Sequence, residues 1–368
     1  MLSNLLLLLL LLLGLYSPKP QEPSQDVALA PSQKIEVPSQ PVQVTPITPT
    51  TPVVEPPPEP VVEAPVVSTI KLTIVGDCLI TSDKGITTPG SFLAKCKEGD
   101  WEWFLGGVRD WFEDDDFTIV NLENVITDNP LTEKPKDHSP AYWYRGPTEN
   151  MQILTSSSVE VCNLSNNHTG DYDTQGAQDT IQACKDYGLE YGTNERTVYL
   201  EKDGYRIALI CNGLWYEGQE QTIIKRLKVA EENSDFQIVY YHGGTERVHV
   251  VEDWRVRSSR RLVDAGADLV IGNHPHVLQP MEEYNGVTII YSMGNFCWGA
   301  SKHPENRTGM YRFELTITDG ELTAAEGNFI PCYVYTGDSN NWRPEVITDE
   351  TDKQAVLDYM HGLRSSPI

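Results

Sequence analysis

The sequence predicts an α/β fold, on three observations. Short β-branched runs alternate with amphipathic stretches, and the order is βαβα over most of the chain. Several apolar runs also end abruptly in Asp, Glu, Asn or His, as strands do where a sheet meets a ligand site. The strand-like runs are residues 70–75, 117–121, 159–164, 206–211, 236–241, 268–271 and 287–291. Residues 101–112, 176–187 and 254–265 between them carry helical spacing. Residues 311–318 and 321–330 read as a hairpin closing around Asp319-Gly320. The tail after Tyr335 reads as irregular chain plus a short helix over 353–363. Four regions follow: 1–17 a leader, 18–68 a stalk, 69–335 the main domain and 336–368 a C-terminal extension.

The leader contains nine consecutive leucines, Leu5 to Leu13. As a helix from Leu2 to Tyr16 it spans about 22 Å, short of the roughly 30 Å hydrocarbon core. It therefore suits a signal-peptide core or a membrane anchor, cleaved or retained, although no Lys or Arg precedes it. No cysteine occurs before Cys78, which excludes a lipid-modified cysteine there. The stalk holds 14 of the 25 prolines and no glycine. Such composition favours polyproline II and forbids a packed core. Fully extended, it reaches roughly 150 Å at about 3.1 Å per residue. These segments place the domain at the outer face of the cell membrane, or in the medium.

Fifty-three acidic against 28 basic residues give a formal charge of −25. Such a surface repels polyphosphate backbones and excludes a nucleic-acid binder with a basic groove. The seven cysteines show no Cys-x-x-Cys spacing, so neither a zinc ribbon nor a disulfide framework is expected. An exported chain without disulfides points to a Gram-positive surface. There is no Gly-Lys dipeptide and no Gly-x-Ser-x-Gly elbow, so neither ATP-driven ligation nor serine hydrolysis is supported.

The chemistry gathers at five strand ends: Gly76-Asp77; Asn121-Leu122-Glu123; Ser165-Asn166-Asn167-His168 with Asp171; Tyr241-His242-Gly243-Gly244; and Gly272-Asn273-His274-Pro275-His276. Each alone has an ordinary explanation, a turn, a cap or a histidine satisfied by a carbonyl. Together they deliver carboxylate, amide and imidazole donors and no thiolate to one side of a sheet. That set suits Mn²⁺, Zn²⁺, Fe or Mg²⁺ rather than Cu(I) or an iron–sulfur cluster. His274 and His276, two apart in extended chain, point the same way and grip one ion or two neighbouring ones.

In these blocks, with Tyr291-Ser292-Met293-Gly294-Asn295-Phe296, the chain resembles the CapA family of poly-γ-glutamate capsule biosynthesis proteins over about residues 70 to 300. The family's domain is similar to the calcineurin-like metallophosphoesterases. The resemblance implies a four-layered α/β/β/α sandwich with two mixed sheets. It implies one or two divalent ions, with Glu123 bridging, Asp77 and His276 on the first, and Asn167, His242 and His274 on the second. His168 becomes the uncoordinated acid/base, with Asp171 as its orienting partner. The implied substrate is a phosphoester or a γ-glutamyl amide of an anionic polymer, and the implied partners are membrane-embedded capsule synthase subunits. An accessory, non-catalytic role is the alternative.

Three departures or tensions accompany the resemblance. Metallophosphoesterases open with Asp-x-His, whereas Cys78 and Leu79 follow Asp77 here. Neighbouring strand residues point to opposite faces, so a substitute thiolate from Cys78 is not expected. Family members usually carry Trp where Gly243 stands, which implies a more open pocket. The acidic balance opposes a polyanionic substrate, so bound cations or Arg145, Arg255, Arg257, Arg260 and Arg261 are expected to offset it locally, with Arg145 as the substrate-binding candidate. His138, His249 and His361 are read as solvated, and Trp101, Trp103 and Trp111 as core packing.

Overall fold

The structure, a computed structural model, describes residues 64–82 and 88–368; the leader and the proline-rich stalk up to residue 63 lie outside the described residues. Chain order runs from β1 (Val67–Leu79) through α1 (Phe92–Cys96), α2 (Glu102–Leu105) and α3 (Arg109–Glu113) to β2 (Phe117–Leu122). A small ribbon, β3 (Val125–Ile126) with β4 (Arg145–Gly146), and α4 (Gln152–Thr155) precede β5 (Val161–Asn163), α5 (Asp173–Asp186) and β6 (Glu190–Gly192). Next come β7 (Val198–Lys202), β8 (Tyr205–Gly213), α6 (Glu220–Glu231), β9 (Phe236–His242), α7 (Asp253–Asp264) and β10 (Leu269–Asn273). The chain ends with β11 (Leu278–Tyr284), β12 (Val287–Met293), β13 (Asn295–Trp298), β14 (Thr308–Thr318), β15 (Glu321–Tyr333), β16 (Glu345–Val346) and α8 (Glu350–Met360).

Eight strands make one mixed sheet, ordered β16-β15-β14-β1-β2-β5-β6 with β13 beside β1. Six make the other, ordered β11-β12-β10-β9-β8-β7. Side chains alternate across each strand, and that period of two builds the layers. Ile70, Leu72 and Ile74 of β1 meet Leu209 and Cys211 of β8 and Ile238 and Tyr240 of β9 between the sheets. On the other face of the first sheet, Val75, Val120 and Cys162 meet helix residues Phe104, Phe112, Ala183 and Cys184. On the other face of the second, Ala208, Ile210 and Val239 meet Ile223 and Leu227 of α6 and Leu262 of α7. Three apolar layers between four tiers are the expected sandwich. Val356, Tyr359 and Met360 of α8 also fill the inter-sheet core.

The hairpin turn has the expected register, Thr318 opposite Glu321, with Asp319 at φ 53° and Gly320 at φ 87°. Positive φ at both central residues is the twist-matched two-residue turn. The helix expected over 101–112 is instead two, α2 and α3, broken at Gly106-Gly107. A Cβ on Gly107 would stand 2.3 Å from the Pro344 carbonyl oxygen, so a tertiary approach decides the break. All seven cysteines are free and buried. Among the described residues no helix is long and apolar enough to cross a membrane.

Candidate metal centre

Both sheets end at the same place. The carboxyl ends of β1, β2 and β5 bring Asp77, Glu123 and the 165–168 turn, and those of β9 and β10 bring His242, His274 and His276. A buried strut joins the two edges, the Tyr240 hydroxyl donating to the Val75 carbonyl at 2.6 Å. Glycine is required beside Asp77: a Cβ on Gly76 would lie 2.1 Å from the Gly294 carbonyl oxygen. Across that close approach the Asp77 N–H donates to Gly294 O at 2.9 Å, and the β1–β2 register slips between Ile74 and Asp77. The slip turns Asp77 into the cluster.

An asparagine frame holds the ligand candidates. Asn121 and Asn273 donate to Asp77 Oδ1 at 2.7 and 2.5 Å. Asn295 Oδ1 stands 3.1 Å from His276 Nδ1, and Asn167 Oδ1 2.9 Å from His242 Nε2. His276 Nδ1 is 3.1 Å from Asp77 Oδ2, and its Nε2 is 3.6 Å from Glu123 Oε1. His242 Nε2 is 3.5 Å from Glu123 Oε1 and 3.1 Å from His274 Nδ1. Asp77, Glu123 and His276 form one group able to hold an ion, and Glu123, His242 and His274 a second; within each, ligand atoms lie within 4.8 Å of one another. Glu123 is common to both.

The residues fit a divalent cation. Asp77 Oδ2 and Glu123 Oε1 are buried carboxylate oxygens without a hydrogen-bond donor, an expensive arrangement unless a positive charge faces them. Burial pushes Glu123 well above the usual carboxylate range, and the Asp77 charge adds to it. Burial also acts to raise Asp77, but His276, His242 and Asn121 outweigh it and hold that carboxyl low. Burial lowers His242 to about 3 and His274 well below the imidazole range. Those two rings are neutral at pH 7, the form that ligates metals.

His168 stands at the rim of this group with Nε2 4.0 Å from Glu123 Oε1. Its Nδ1 lies 2.7 Å from Asp171 Oδ2, which also accepts the Tyr144 N–H at 2.8 Å, while Lys136 pairs with Asp171 Oδ1 at 2.6 Å. Burial lowers the His168 pKa against the raising effect of Asp171. Nδ1–H is thereby committed to Asp171, which leaves Nε2 turned toward Glu123.

Several expected residues lie elsewhere. Arg145 donates to the Asn129 and Leu131 carbonyls at 3.3 and 3.2 Å and lies over the Tyr172 ring, so it is not brought into the cluster. Arg255 is fully buried under the Gly244 loop, bonded to Gln279 Oε1 at 2.6 Å and Tyr291 O at 2.5 Å. Arg257 and Arg261 pair with Glu217 and Arg260 with Glu282, so the α7 arginines do not offset charge for a polymer. Gly243 opens nothing: a Cβ there would lie 1.7 Å from the Leu214 carbonyl oxygen. An aromatic ring flanks the histidines from another strand end instead, Trp215, 5.1 Å from His274 edge-on. Cys78 faces the helix side of its sheet, with its thiol pushed up to about 12 by burial. His249 is half-buried rather than fully solvated and pairs with Glu305 at 3.1 Å.

Sequence reasoning missed Glu246, whose carboxylate forms a third group with His274 and His276. It follows the Gly243-Gly244 turn in irregular chain, where no periodicity marks it. Its distance of four residues from His242 was the available signal.

A family model described as bacterial capsule synthesis protein PGA_cap matches residues 71–300. The "PGA biosynthesis protein CapA" of Bacillus subtilis is 28% identical over 244 residues, 58% of this chain and 63% of that protein. The "Capsule biosynthesis protein CapA" of Bacillus anthracis is 28% identical over 277 residues, 68% of this chain and 64% of that protein. A "polyglutamine synthesis accessory protein" of Mycobacterium tuberculosis is 27% identical over 269 residues, 63% of this chain and 68% of that protein. The chain thus spans a little under two thirds of the length of the two Bacillus relatives.

Proposed function

The chain belongs to the bacterial capsule synthesis protein family, and from that premise we propose that it is an exported metal-dependent hydrolase or transferase acting on the γ-glutamyl amides of capsule polyglutamate. The observation that carries this reading is the pair of ligand groups sharing Glu123, with two buried carboxylate oxygens lacking donors and a histidine–aspartate pair at the rim. On this reading the leucine-rich leader and proline stalk carry the domain to the outer face of the membrane, beside synthase subunits.

Asp77, Glu123 and His276 would hold one divalent ion, and Glu123, His242 and His274, with Asn167, a second. A cation bound there supplies Lewis acidity toward a carbonyl or phosphoryl oxygen and lowers the pKa of water. His168 Nε2 takes a proton from the attacking nucleophile and returns it to the leaving amide nitrogen. Asp171 positions the ring and fixes its tautomer through Nδ1, and Lys136 and the Tyr144 N–H fix Asp171. The asparagine frame keeps Asp77 and His276 oriented without adding charge.

Incubating the full chain with γ-glutamyl oligomers, with Mn²⁺, Zn²⁺ or EDTA, and following chain length by mass spectrometry tests this. Metal-dependent shortening or transfer, lost in His168→Ala, is the expected result. Unchanged oligomers under every metal overturn it. A non-catalytic tethering role is the second reading, favoured by the word "accessory" in the name of the mycobacterial relative. It requires His242→Ala and His276→Ala to leave polymer output intact in cells.

A further inference from the structure

Two cavities meet at one arginine. The first, about 690 Å³, is bounded by Asn167, His168 and Glu246 and by Lys134 and Lys136. The second, about 460 Å³, is bounded by His276, Asn295, Trp298 and His303. Arg247 lines both. Each cavity touches the metal centre from a different side, the first at the acid/base His168 and the second at His276. A substrate crossing the centre therefore passes Arg247.

The backbone of Arg247 is tied to the ligand turn. Its N–H donates to the Pro275 carbonyl at 2.8 Å, between the two ligand histidines. It does so at φ 60°, a left-handed conformation that glycine or asparagine adopts at lower cost. His274 at φ 103° and His276 at φ 57° share the same region. Three non-glycine residues held left-handed around one turn mark a place where side-chain position outweighs backbone comfort.

The guanidinium is also uncommitted. Lys134 pairs with Asp173 at 3.5 Å and Lys136 with Asp171 at 2.6 Å. Among the described residues, no hydrogen bond or ion pair engages the exposed Arg247 side chain. In a chain of net charge −25 a free guanidinium beside the centre is a local exception to the field.

We propose that Arg247 is the substrate anchor of this site: it grips a free carboxylate of a γ-glutamyl chain next to the reacting bond, while the chain continues into both cavities. This rests on the polyglutamate reading and adds to it an internal, rather than terminal, site of attack. The planar guanidinium fork matches a carboxylate in two parallel hydrogen bonds, which an ammonium does not reproduce. A phosphate oxyanion offers related chemistry, so the test separates the two.

The experiment is fluorescence anisotropy of a labelled γ-glutamyl decamer on the full-length chain, with unlabelled decamer, γ-glutamyl dimer and poly(glycerol phosphate) as competitors. Wild type, Arg247→Ala and Arg247→Lys are compared, with melting temperature and bound metal checked in each. The expected result is decamer binding weakened at least tenfold by Arg247→Ala and only partly restored by Arg247→Lys, with fold and metal retained and the dimer a poor competitor. Equal binding by wild type and Arg247→Ala overturns the anchor but leaves the polymer reading standing. Competition by poly(glycerol phosphate) as strong as by unlabelled decamer overturns the carboxylate assignment. No decamer binding by wild type overturns the anchor and the polymer reading together.

Discussion

Replacing Glu123 with Gln makes a buried carboxylate permanently neutral in a site where Glu123 Oε1 and Asp77 Oδ2 both lack donors. The Gln amide brings N–H donors against the Asp77 carboxylate, and a buried polar oxygen left unsatisfied costs about 1–3 kcal/mol, so the metal-free variant is expected to gain about that much at pH 7. At roughly 2–4 °C per kcal/mol for a domain of this size, the gain is about 2–12 °C in melting temperature. The pH dependence follows from the raised Glu123 pKa, caused by burial and the Asp77 charge. Between the unfolded carboxylate value of about 4.3 and the raised native value, the folded state binds more protons than the unfolded. The metal-free wild type therefore loses stability as pH rises through that window, and the variant escapes the loss. Metal reverses the order: a ligand at a hundredfold its Kd adds about 2.7 kcal/mol, which the wild type receives and the variant, without the shared carboxylate, does not. Calorimetric unfolding from pH 5 to 8, with EDTA and with Mn²⁺ or Zn²⁺, reads both effects. A metal-free variant less stable than wild type at pH 8, or a full metal-induced rise in the variant, would refute the reasoning.

Other perturbations report on the supports around this centre. Asp171→Asn removes the charge that raises His168, so the acidic limb of the pH–rate profile should move to lower pH while turnover falls about 10²–10⁴-fold; an unmoved limb contradicts the pairing. Gly243→Ala places a Cβ 1.7 Å from the Leu214 carbonyl oxygen and should cost at least about 1–3 kcal/mol in denaturant titration; a wild-type midpoint contradicts the packing. Arg255→Met strips the partner from Glu252, Gln279 and the Tyr291 carbonyl and should destabilise by about 3–5 kcal/mol. A loss under 1 kcal/mol would show those groups to be satisfied without it.

The site was legible in the sequence where apolar strands end in polar residues. Asp77, Glu123, His242 and His274 each follow an apolar run, and their joint occurrence at strand ends, rather than any one of them, marked the site. The layers were legible for a related reason, because alternation along β1 and β8 decides which side chains meet. What escaped depends on contacts distant in sequence. The break at Gly106-Gly107 is imposed by Pro344, and the confinement of Gly243 by Leu214. Trp215 reaches the histidines only because β8 and β9 are neighbours. Glu246 and Arg247 sit in irregular chain, where neither the helical nor the strand period applies. The asparagines were visible as residues but not as a frame, since Asn121, Asn273 and Asn295 converge from three strands.

The central claim is that two ligand groups share Glu123, and metal stoichiometry tests it most directly. Wild type, Asp77→Ala, His274→Ala and Glu123→Ala, each purified and incubated with Mn²⁺ or Zn²⁺, would be weighed by native mass spectrometry. Two ions in wild type, one in each of Asp77→Ala and His274→Ala, and none in Glu123→Ala is the expected result. No ion in wild type under either metal, or an unchanged count in Glu123→Ala, would contradict the claim.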